Sequence, residues 1–396
     1  MTTKQNTTIV TSTGVLFIVG LALRLYLLAL PYWFDEANTI YYISQNFDRM
    51  IQFIQHDYSP PLYYLLLWLW VNIFGSNEVV TGLFSFIINL LSVIVLYVFA
   101  LTLANKRVAL MASLLFWLNS ASVYYATETR MYSLVTLLGL LSCLFFWQLT
   151  QKPKWYYWVG YYLATLAGVY THNTFFFLLV GQNFVWALMR WQYSNQQVSS
   201  KRWLAVQVLL FLGYLGWLPT FLQQLSSNSQ GAVYWTDYAA WKGILAVPEI
   251  LFASINNFGF PIASLTIAVL ISFVVYHFFV TNRYADSKLN QVKVFLSVLI
   301  LVPLAVAYLA DILMPKFIVF VFPLFVVILA MSIDSVRFDF FKKYIILAAF
   351  LFSSSLVLFT NNLSLQESDL GFMMPKVANY FAAKKNTGNA VILFNG

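Results

Sequence analysis

Long apolar runs dominate this chain and restrict it to one environment. They recur at about 20 residues each, the length of a membrane-spanning helix and twice that of a barrel strand. Charged residues make up only 9% of the chain, against roughly 25% in a soluble domain. Because lipid cannot satisfy backbone polar groups, runs of this length must form helices. The sequence therefore predicts an all-α, polytopic membrane protein.

Eleven of these runs are predicted spans. They lie near 9–30, 80–104, 108–125, 131–149, 155–172, 174–190, 203–222, 261–280, 293–310, 315–331 and 343–360. The first is too long for a signal-peptide core and no cleavage site follows it, so we expect it to be retained. We predict a transmembrane domain over 1–360, with a first outer loop at 31–79. The tail, 361–396, is predicted to be extracytoplasmic and to resemble the start of a truncated soluble domain.

The charges between the spans predict the orientation of the chain. With these spans, fourteen of the 22 basic residues but only three of the 14 acidic residues fall on the side of the N-terminus. The positive-inside rule places that side in the cytoplasm, in the plasma (inner) membrane of the cell. The net charge of +8 thus reports topology, with some attraction to anionic lipid, and does not indicate a nucleic-acid partner.

Several common kinds of site are excluded by the residue inventory. The single cysteine, Cys143, lies in a predicted span, so neither an internal disulfide nor a cysteine-based metal site can form. The three histidines lack metalloprotease spacing, and no glycine-rich nucleotide-binding motif occurs.

The first outer loop has its own pattern. Apolar residues at helical spacing between Ala37 and Ile54 predict two short amphipathic helices lying in the membrane interface. Ser59, Pro60 and Pro61 then form a helix-start signal for a short helix over 62–74.

Ionisable residues collect at the predicted outer ends of the spans. They are Asp35, Glu36, His56, Asp57, Glu128, Arg130, His172, Asp311 and Lys316. Span ends converge in a bundle, and ionisable groups at this depth are functional candidates by default. We therefore predict a shallow charged cavity on the outer face.

The acidic pair that opens the loop has two interpretations. Neighbouring residues on a helix point about 100° apart, so we expect only one of Asp35 and Glu36 to face the cavity. Asp35 is either the N-cap of the following helix or a general base that takes a proton from an acceptor hydroxyl. The other acids on the same rim favour the base.

The basic residues of the rim suit phosphate. The planar guanidinium of Arg130 matches phosphate oxygens, and Glu128 either pairs with it at the rim or caps a span. Lys316 is a second phosphate contact or a lysine that snorkels to the interface. Arg24, in the outer half of the first span, is expected to snorkel or to pair with an outer acid.

The histidines carry weaker signals. His56 is predicted to be a hydrogen-bonded loop residue and His172 a packed one, with substrate contact as the alternative for His172. A divalent metal held by Asp35, His56 and Asp57 is a further hypothesis, although their spacing is not diagnostic.

Three short elements occur together in an order that resembles a known family. WFDEA follows the first span, DYSPPLYY runs from Asp57 to Tyr64, and ETRMY runs from Glu128 to Tyr132. This resembles the C-type (GT-C) membrane glycosyltransferases, in particular the family 39 type. That group includes protein O-mannosyltransferases, aminoarabinose transferases of lipid A and rhizobial galacturonosyltransferases.

The resemblance implies an inverting transfer of a sugar from a polyisoprenyl-phosphate donor to an acceptor hydroxyl on the outer face. Asp35 would then be the base, Arg130 and Lys316 would hold the lipid phosphate, and Glu128 would orient the acceptor or Arg130. The substrate-binding candidates are Glu36, His56, Asp57, Tyr132 and His172. The loop lacks a D-x-D motif, which argues against a metal requirement.

The acceptor implied in this way is a glycan, a lipid or a protein. The competing interpretation is a transporter or flippase of lipid-linked sugars. It predicts charges at mid-membrane depth or inverted repeats, and neither is evident in the sequence.

Overall fold

The chain folds as a bundle of helices. The structure, a computed structural model, describes residues 3–28, 30–57, 59–192, 198–230, 276, 287–310, 312 and 315–335, and no strand occurs in these ranges. The helices are α1 (Thr3–Leu27), α2 (Phe34–Ile43), α3 (Phe47–His56), α4 (Leu62–Phe74), α5 (Glu78–Leu103), α6 (Lys106–Leu118), α7 (Ser120–Tyr125), α8 (Tyr132–Gln151), α9 (Trp155–Val169), α10 (Phe175–Gln192), α11 (Ser200–Tyr214), α12 (Leu218–Gln230), α13 (Ser287–Leu309) and α14 (Phe322–Ser335). Two 3₁₀ turns, Pro315–Phe317 and Val319–Val321, precede α14.

Nine of the eleven predicted spans coincide with helical segments. The predicted span at 343–360 lies outside the described residues, as does nearly all of 261–280, so the count of eleven stays a prediction. Among the described helices, α5, α8 and α13 are long and apolar enough to cross a membrane unaided. The division into a domain over 1–360 and a tail over 361–396 also stays a prediction, because the tail is outside the described residues.

Three predicted spans are not continuous helices, and the one at 315–331 begins with the two 3₁₀ turns before α14. The span at 108–125 divides into α6 and α7 at Asn119, whose side-chain oxygen accepts the backbone N–H groups of Ala121 and Ser122. An asparagine that caps a new helix in this way ends the preceding one. The span at 203–222 becomes α11 and α12, which are bent by 75° at their break.

Helix α8 forms the centre of the bundle. Most of its side chains are buried, including Tyr132, Phe146 and Trp147, and it packs against α5, α9 and the 3₁₀ turn Val319–Val321. A helix that is apolar all round belongs in the interior of a membrane bundle. Its N-terminal end therefore brings the ETRMY element to the middle of one end of the bundle.

Arg24 lies inside the bundle, so the expectation that it snorkels or pairs with an outer acid is wrong. Its side chain is fully buried, and it donates to the side chains of Asn89 and Ser122. It also donates to the carbonyls of Gly20 and Trp117, and it lies 3.8 Å from the centre of the Trp117 ring. Neutral acceptors and an aromatic face replace the counter-ion, and the guanidinium ties α1 to α5, α6 and α7.

The first outer loop contains the two predicted helices and the third that follows them. Met50 and Ile54 of α3 are fully buried while most other α3 side chains are exposed, which confirms its amphipathic pattern. Helix α4 begins directly after Pro61, and its first N–H donates to the carbonyl of Tyr170 at 2.9 Å. Gln224 of α12 donates to the backbone carbonyl of Asp57. The loop is thus fixed against the end of α9 and the middle of α12.

Candidate functional site

Asp35 is not a helix cap. Trp33 occupies the N-cap position of α2, and Glu36 accepts the Trp33 backbone N–H at 3.1 Å, as a residue three positions inside a helix can. The Asp35 carboxylate instead lies 3.3 Å from the ammonium of Lys316, 281 positions along the chain. Both side chains are about one-fifth exposed, so the pair faces an accessible space.

Lys316 is carried by the 3₁₀ turn Pro315–Phe317, which contacts the α9–α10 connection. The Thr174 hydroxyl donates to the Phe317 carbonyl, and His172 accepts the Thr174 backbone N–H at 3.2 Å. The buried His172 ring also packs near the rings of Tyr132 and Phe317. His172 is therefore the packed, hydrogen-bonded residue that was predicted, and it supports the turn that presents Lys316.

Arg130 is the buried cation beside this pair. One of its terminal nitrogens donates to the Tyr64 hydroxyl at 3.2 Å, to the Thr39 hydroxyl at 3.0 Å and to the Asp35 backbone carbonyl at 3.4 Å. Its Nε has no acceptor among the described residues, although the side chain is only 9% exposed. Buried N–H groups are nearly always paired, so the missing acceptor of this donor needs an explanation, and a ligand oxygen would supply one.

The two ends of the DYSPPLYY element are joined by a hydrogen bond. The Tyr64 hydroxyl, at the end of the element, donates to the carboxylate of Asp57 at its beginning. Because Arg130 also donates to this hydroxyl, Tyr64 links Asp57 to the guanidinium. Asp57 thus joins the cluster through Tyr64.

Glu36 and Glu128 form the buried acidic side of the site. The backbone N–H of Thr129 donates to Glu36 at 2.6 Å, and the indole N–H of Trp33 donates to Glu128 at 2.9 Å. Burial raises the pKa of Glu36 to about 7. Two backbone hydrogen bonds and the charge of Arg130 lower the pKa, but by less than burial raises it. Burial and then the charge of Glu36 raise the pKa of Glu128 well above its ordinary value. Each of these carboxyls therefore keeps its proton to a higher pH than a freely exposed glutamic acid does.

Some predicted residues stay apart from the cluster. His56 is exposed and its ring contacts the Gln52 carbonyl, so it does not join Asp35 and Asp57. Among the described residues no three acidic, histidine or cysteine side chains are grouped to hold a metal ion, so the hypothesised trio is not assembled. Glu128 and Arg130 are not ion-paired, since Asp35–Lys316 is the one ion pair found in the described part of the chain. Asp311 lies outside the described residues.

The structure adds residues that the sequence analysis did not assign to the site. Trp33, Thr39, Tyr64 and Thr174 each hold one of the charged side chains or its supporting turn. Trp33 and Tyr64 stand inside the WFDEA and DYSPPLYY elements, so their place in those elements was an available signal. Thr39 and Thr174 carried none, because single threonines are common at helix ends and interiors.

The sequence and the fold of the chain are similar to those of known proteins. Residues 58–218 match the family described as dolichyl-phosphate-mannose-protein mannosyltransferase. None of the curated proteins searched matches the chain. Among solved structures, ArnT from Cupriavidus metallidurans in the apo state aligns with a TM-score of 0.56 at 16% identity, over 85% of this chain and 62% of ArnT. The same protein bound to undecaprenyl phosphate aligns with a TM-score of 0.54 at 14% identity, over the same shares.

A second solved relative shares the fold. The apo oligosaccharyltransferase of Archaeoglobus fulgidus aligns with a TM-score of 0.52 at 11% identity, over 92% of this chain and 59% of that protein. The chain thus spans about three fifths of the length of these proteins. At such identities the alignments establish the fold, and the match over 58–218 covers the end of the first outer loop, ETRMY and the central helices, and it begins after WFDEA. The chain is therefore a multi-pass membrane protein of the GT-C fold, similar to the aminoarabinose transferase ArnT and to the dolichyl-phosphate-mannose-protein mannosyltransferase family.

Proposed function

We propose that the protein is a glycosyltransferase that moves a sugar from a polyisoprenyl-phosphate donor to an acceptor hydroxyl. One observation carries the proposal: the Asp35 carboxylate is 3.3 Å from Lys316, and its backbone carbonyl accepts from Arg130. A potential base therefore stands beside two cations at one end of the bundle. The undecaprenyl phosphate bound to ArnT, a protein of the same fold, supports a lipid-phosphate donor.

In the proposed reaction Asp35 removes the proton from the acceptor hydroxyl. The hydroxyl oxygen attacks the anomeric carbon as the bond from that carbon to the phosphate oxygen breaks. The configuration inverts, and the lipid phosphate leaves with the electron pair and the negative charge. The catalytic requirement is to stabilise this charge, which Lys316 and Arg130 would do.

The ion pair between Asp35 and Lys316 takes part in the proposed reaction. Before the donor binds, Lys316 and Asp35 neutralise each other at 3.3 Å. A phosphate that enters beside Lys316 competes with the carboxylate for the ammonium. Binding of the donor would thereby release Asp35 to accept a proton, and the unpartnered Arg130 Nε would take a second phosphate oxygen.

The proposed setting is the outer face of the plasma (inner) membrane, with a cytoplasmic N-terminus. It follows from the basic residues predicted to lie on the side of the N-terminus. A flippase for lipid-linked sugars is the alternative. The location of the charged cluster at the ends of α8 and the loop helices favours surface chemistry over passage through the bilayer.

Lipid-phosphate binding tests the proposed donor subsite directly. Arg130→Lys removes the planar guanidinium but keeps the charge, and we expect it to weaken binding of polyprenyl phosphate about tenfold or more. Arg49→Lys is the matched control, because Arg49 is exposed on α3 and lies outside the cluster. Titration of each variant in nanodiscs gives the affinities. Equal affinity in wild type and Arg130→Lys would remove Arg130 from the proposed donor subsite.

A further inference from the structure

A small cavity lies beside Trp33 and the buried acidic residues. It opens between the end of α1, the start of α2 and the Thr127–Thr129 segment. Aromatic side chains of Tyr32, Trp33 and Tyr124 form part of its wall. Three carboxyl groups also line it, those of Glu36, Glu78 and Glu128, and no basic side chain of the described residues does.

Glu128 lines this cavity and has one open acceptor, a carboxyl oxygen without a partner among the described residues. Its side chain is 4% exposed, and one carboxyl oxygen accepts the indole N–H of Trp33. The other oxygen is buried and has no hydrogen-bond partner in the described part of the chain. Glu36 differs, because both of its oxygens accept backbone N–H groups, those of Trp33 and Thr129. A ligand O–H or N–H is the group that would satisfy the open Glu128 oxygen.

The Trp33 indole lies between Glu128 of this cavity and Lys316. The Lys316 ammonium lies 5.7 Å from the centre of the Trp33 ring, whereas the indole N–H donates to Glu128. Neither Lys316 nor Arg130 lines the cavity. The lining of this cavity therefore offers a phosphate no basic side chain among the described residues, whereas Lys316 and Arg130, outside the lining, each offer one.

We propose that the acidic cavity binds the acceptor, and that it selects a neutral, hydroxyl-bearing end over one that carries a phosphate. This inference rests on the proposed transferase function, and it deepens it by naming the acceptor class. The open Glu128 oxygen accepts from an acceptor hydroxyl, and the aromatic wall packs against the sugar face. An anionic group on the acceptor would find no basic side chain among the described residues that line the cavity, and the reacting hydroxyl is the one that reaches the Asp35 side of Trp33.

The test compares neutral and phosphorylated sugars. Methyl glucoside, mannoside and galactoside, each with its 6-phosphate, are presented to the protein in nanodiscs free of sugar detergents, and saturation-transfer NMR measures binding. We expect at least one neutral glycoside to bind at least tenfold tighter than its 6-phosphate. Glu128→Gln should weaken that neutral glycoside about tenfold. Glu78 is at an exposed position of the cavity. Glu78→Lys should strengthen binding of the 6-phosphate and so reduce the ratio of the two affinities.

Asp48→Asn is the control for loss of an acidic residue, because Asp48 is exposed on α3 and does not line the cavity. The inference is overturned if no neutral glycoside binds, if a 6-phosphate binds as tightly as its neutral partner, or if Glu128→Gln binds like wild type. Polyprenyl-phosphate binding on the same samples shows that each variant is folded.

The same measurement separates the two proposals. Lipid-phosphate binding and sugar release without glycoside selectivity would refute only the acceptor assignment. Glycoside selectivity without any lipid-phosphate binding or release would refute the transferase and leave a sugar-binding cavity.

Discussion

Two adjacent acids in α2 have different environments because they point in different directions. Neighbouring helical residues diverge by about 100°, so Asp35 reaches Lys316 while Glu36 turns to the Thr129 backbone. The sequence predicts that only one of the two acids faces the cavity. In the structure Glu36 lines the acidic cavity and Asp35 faces the cations, so the one-residue offset separates the two parts of the site.

The raised pKa of Glu36 makes a prediction about stability. Because its pKa in the folded protein, about 7, exceeds its ordinary value of 4.5, the folded state binds more protons between these two values. The contribution of Glu36 to stability is therefore greatest below pH 4.5 and is lost as the pH rises through about 7. We expect the apparent Tm in nanodiscs to fall over this interval, by the equivalent of roughly 2–3 kcal/mol.

The variant that isolates this effect is Glu36→Gln, which cannot titrate. It should lower the Tm at acidic pH, because its amide meets a backbone N–H that the carboxyl accepted. Its Tm should then change less between pH 4.5 and pH 7 than that of the wild type. A wild-type slope retained in full by the variant would show that another group is responsible.

The charged residues of the site could be predicted from the sequence, but the residues that they contact could not. Asp35, Arg130 and Lys316 stood out because ionisable groups are rare near a membrane. The pairing of Asp35 with Lys316 depends on a contact across 281 positions, which no local pattern encodes. His56 shows the converse error, since closeness in sequence to Asp57 did not bring it into the cluster.

At the scale of elements, the approach of α1 to α6 depends on one glycine. A Cβ added at Gly20 would lie 2.1 Å from the indole nitrogen of Trp117, a side chain that is almost fully buried. We expect Gly20→Ala to destabilise the protein by about 1–3 kcal/mol through overpacking. The matched control is Gly14→Ala on the same helix, where nothing lies within 4 Å of the added carbon. Apparent Tm values should fall for Gly20→Ala only, and equal Tm values would contradict this account of the α1–α6 contact.

Helices were predictable where a long apolar run meets no internal cap. Helix α5 matches its predicted span within two residues at either end. The span at 108–125 was predicted unbroken because its hydropathy continues through Asn119, whereas the side-chain cap that ends α6 is a local hydrogen bond. Arg24 was misplaced for a related reason: its neutral acceptors come from three other helices, which become neighbours only in the folded bundle.

At the scale of the whole molecule, the distribution of charge predicts which end of the bundle faces the cytoplasm. Ser76→Cys, between α4 and α5, should react with a membrane-impermeant maleimide on intact cells, and Lys152→Cys, between α8 and α9, should not. Both positions are exposed, and the native Cys143 is buried. Lys152→Cys should become reactive once the membrane is opened. The reverse pattern would invert the topology and place the site on the cytoplasmic face.

The charged end of the bundle unites the loop helices, α8 and the turn before α14. We propose that this end transfers a sugar with Asp35 as the base.

The most direct test of this proposal measures the release of free polyprenyl phosphate by mass spectrometry. The protein is given a panel of polyprenyl-phosphate sugars together with candidate acceptor extracts. We compare wild type, Asp35→Asn and the exposed control Asp48→Asn. The account predicts release by wild type and Asp48→Asn and a loss of at least 100-fold in Asp35→Asn, the order expected for removing a general base. Unchanged release in Asp35→Asn would contradict the assignment of the base, and no release from any donor by the wild type would contradict the transferase.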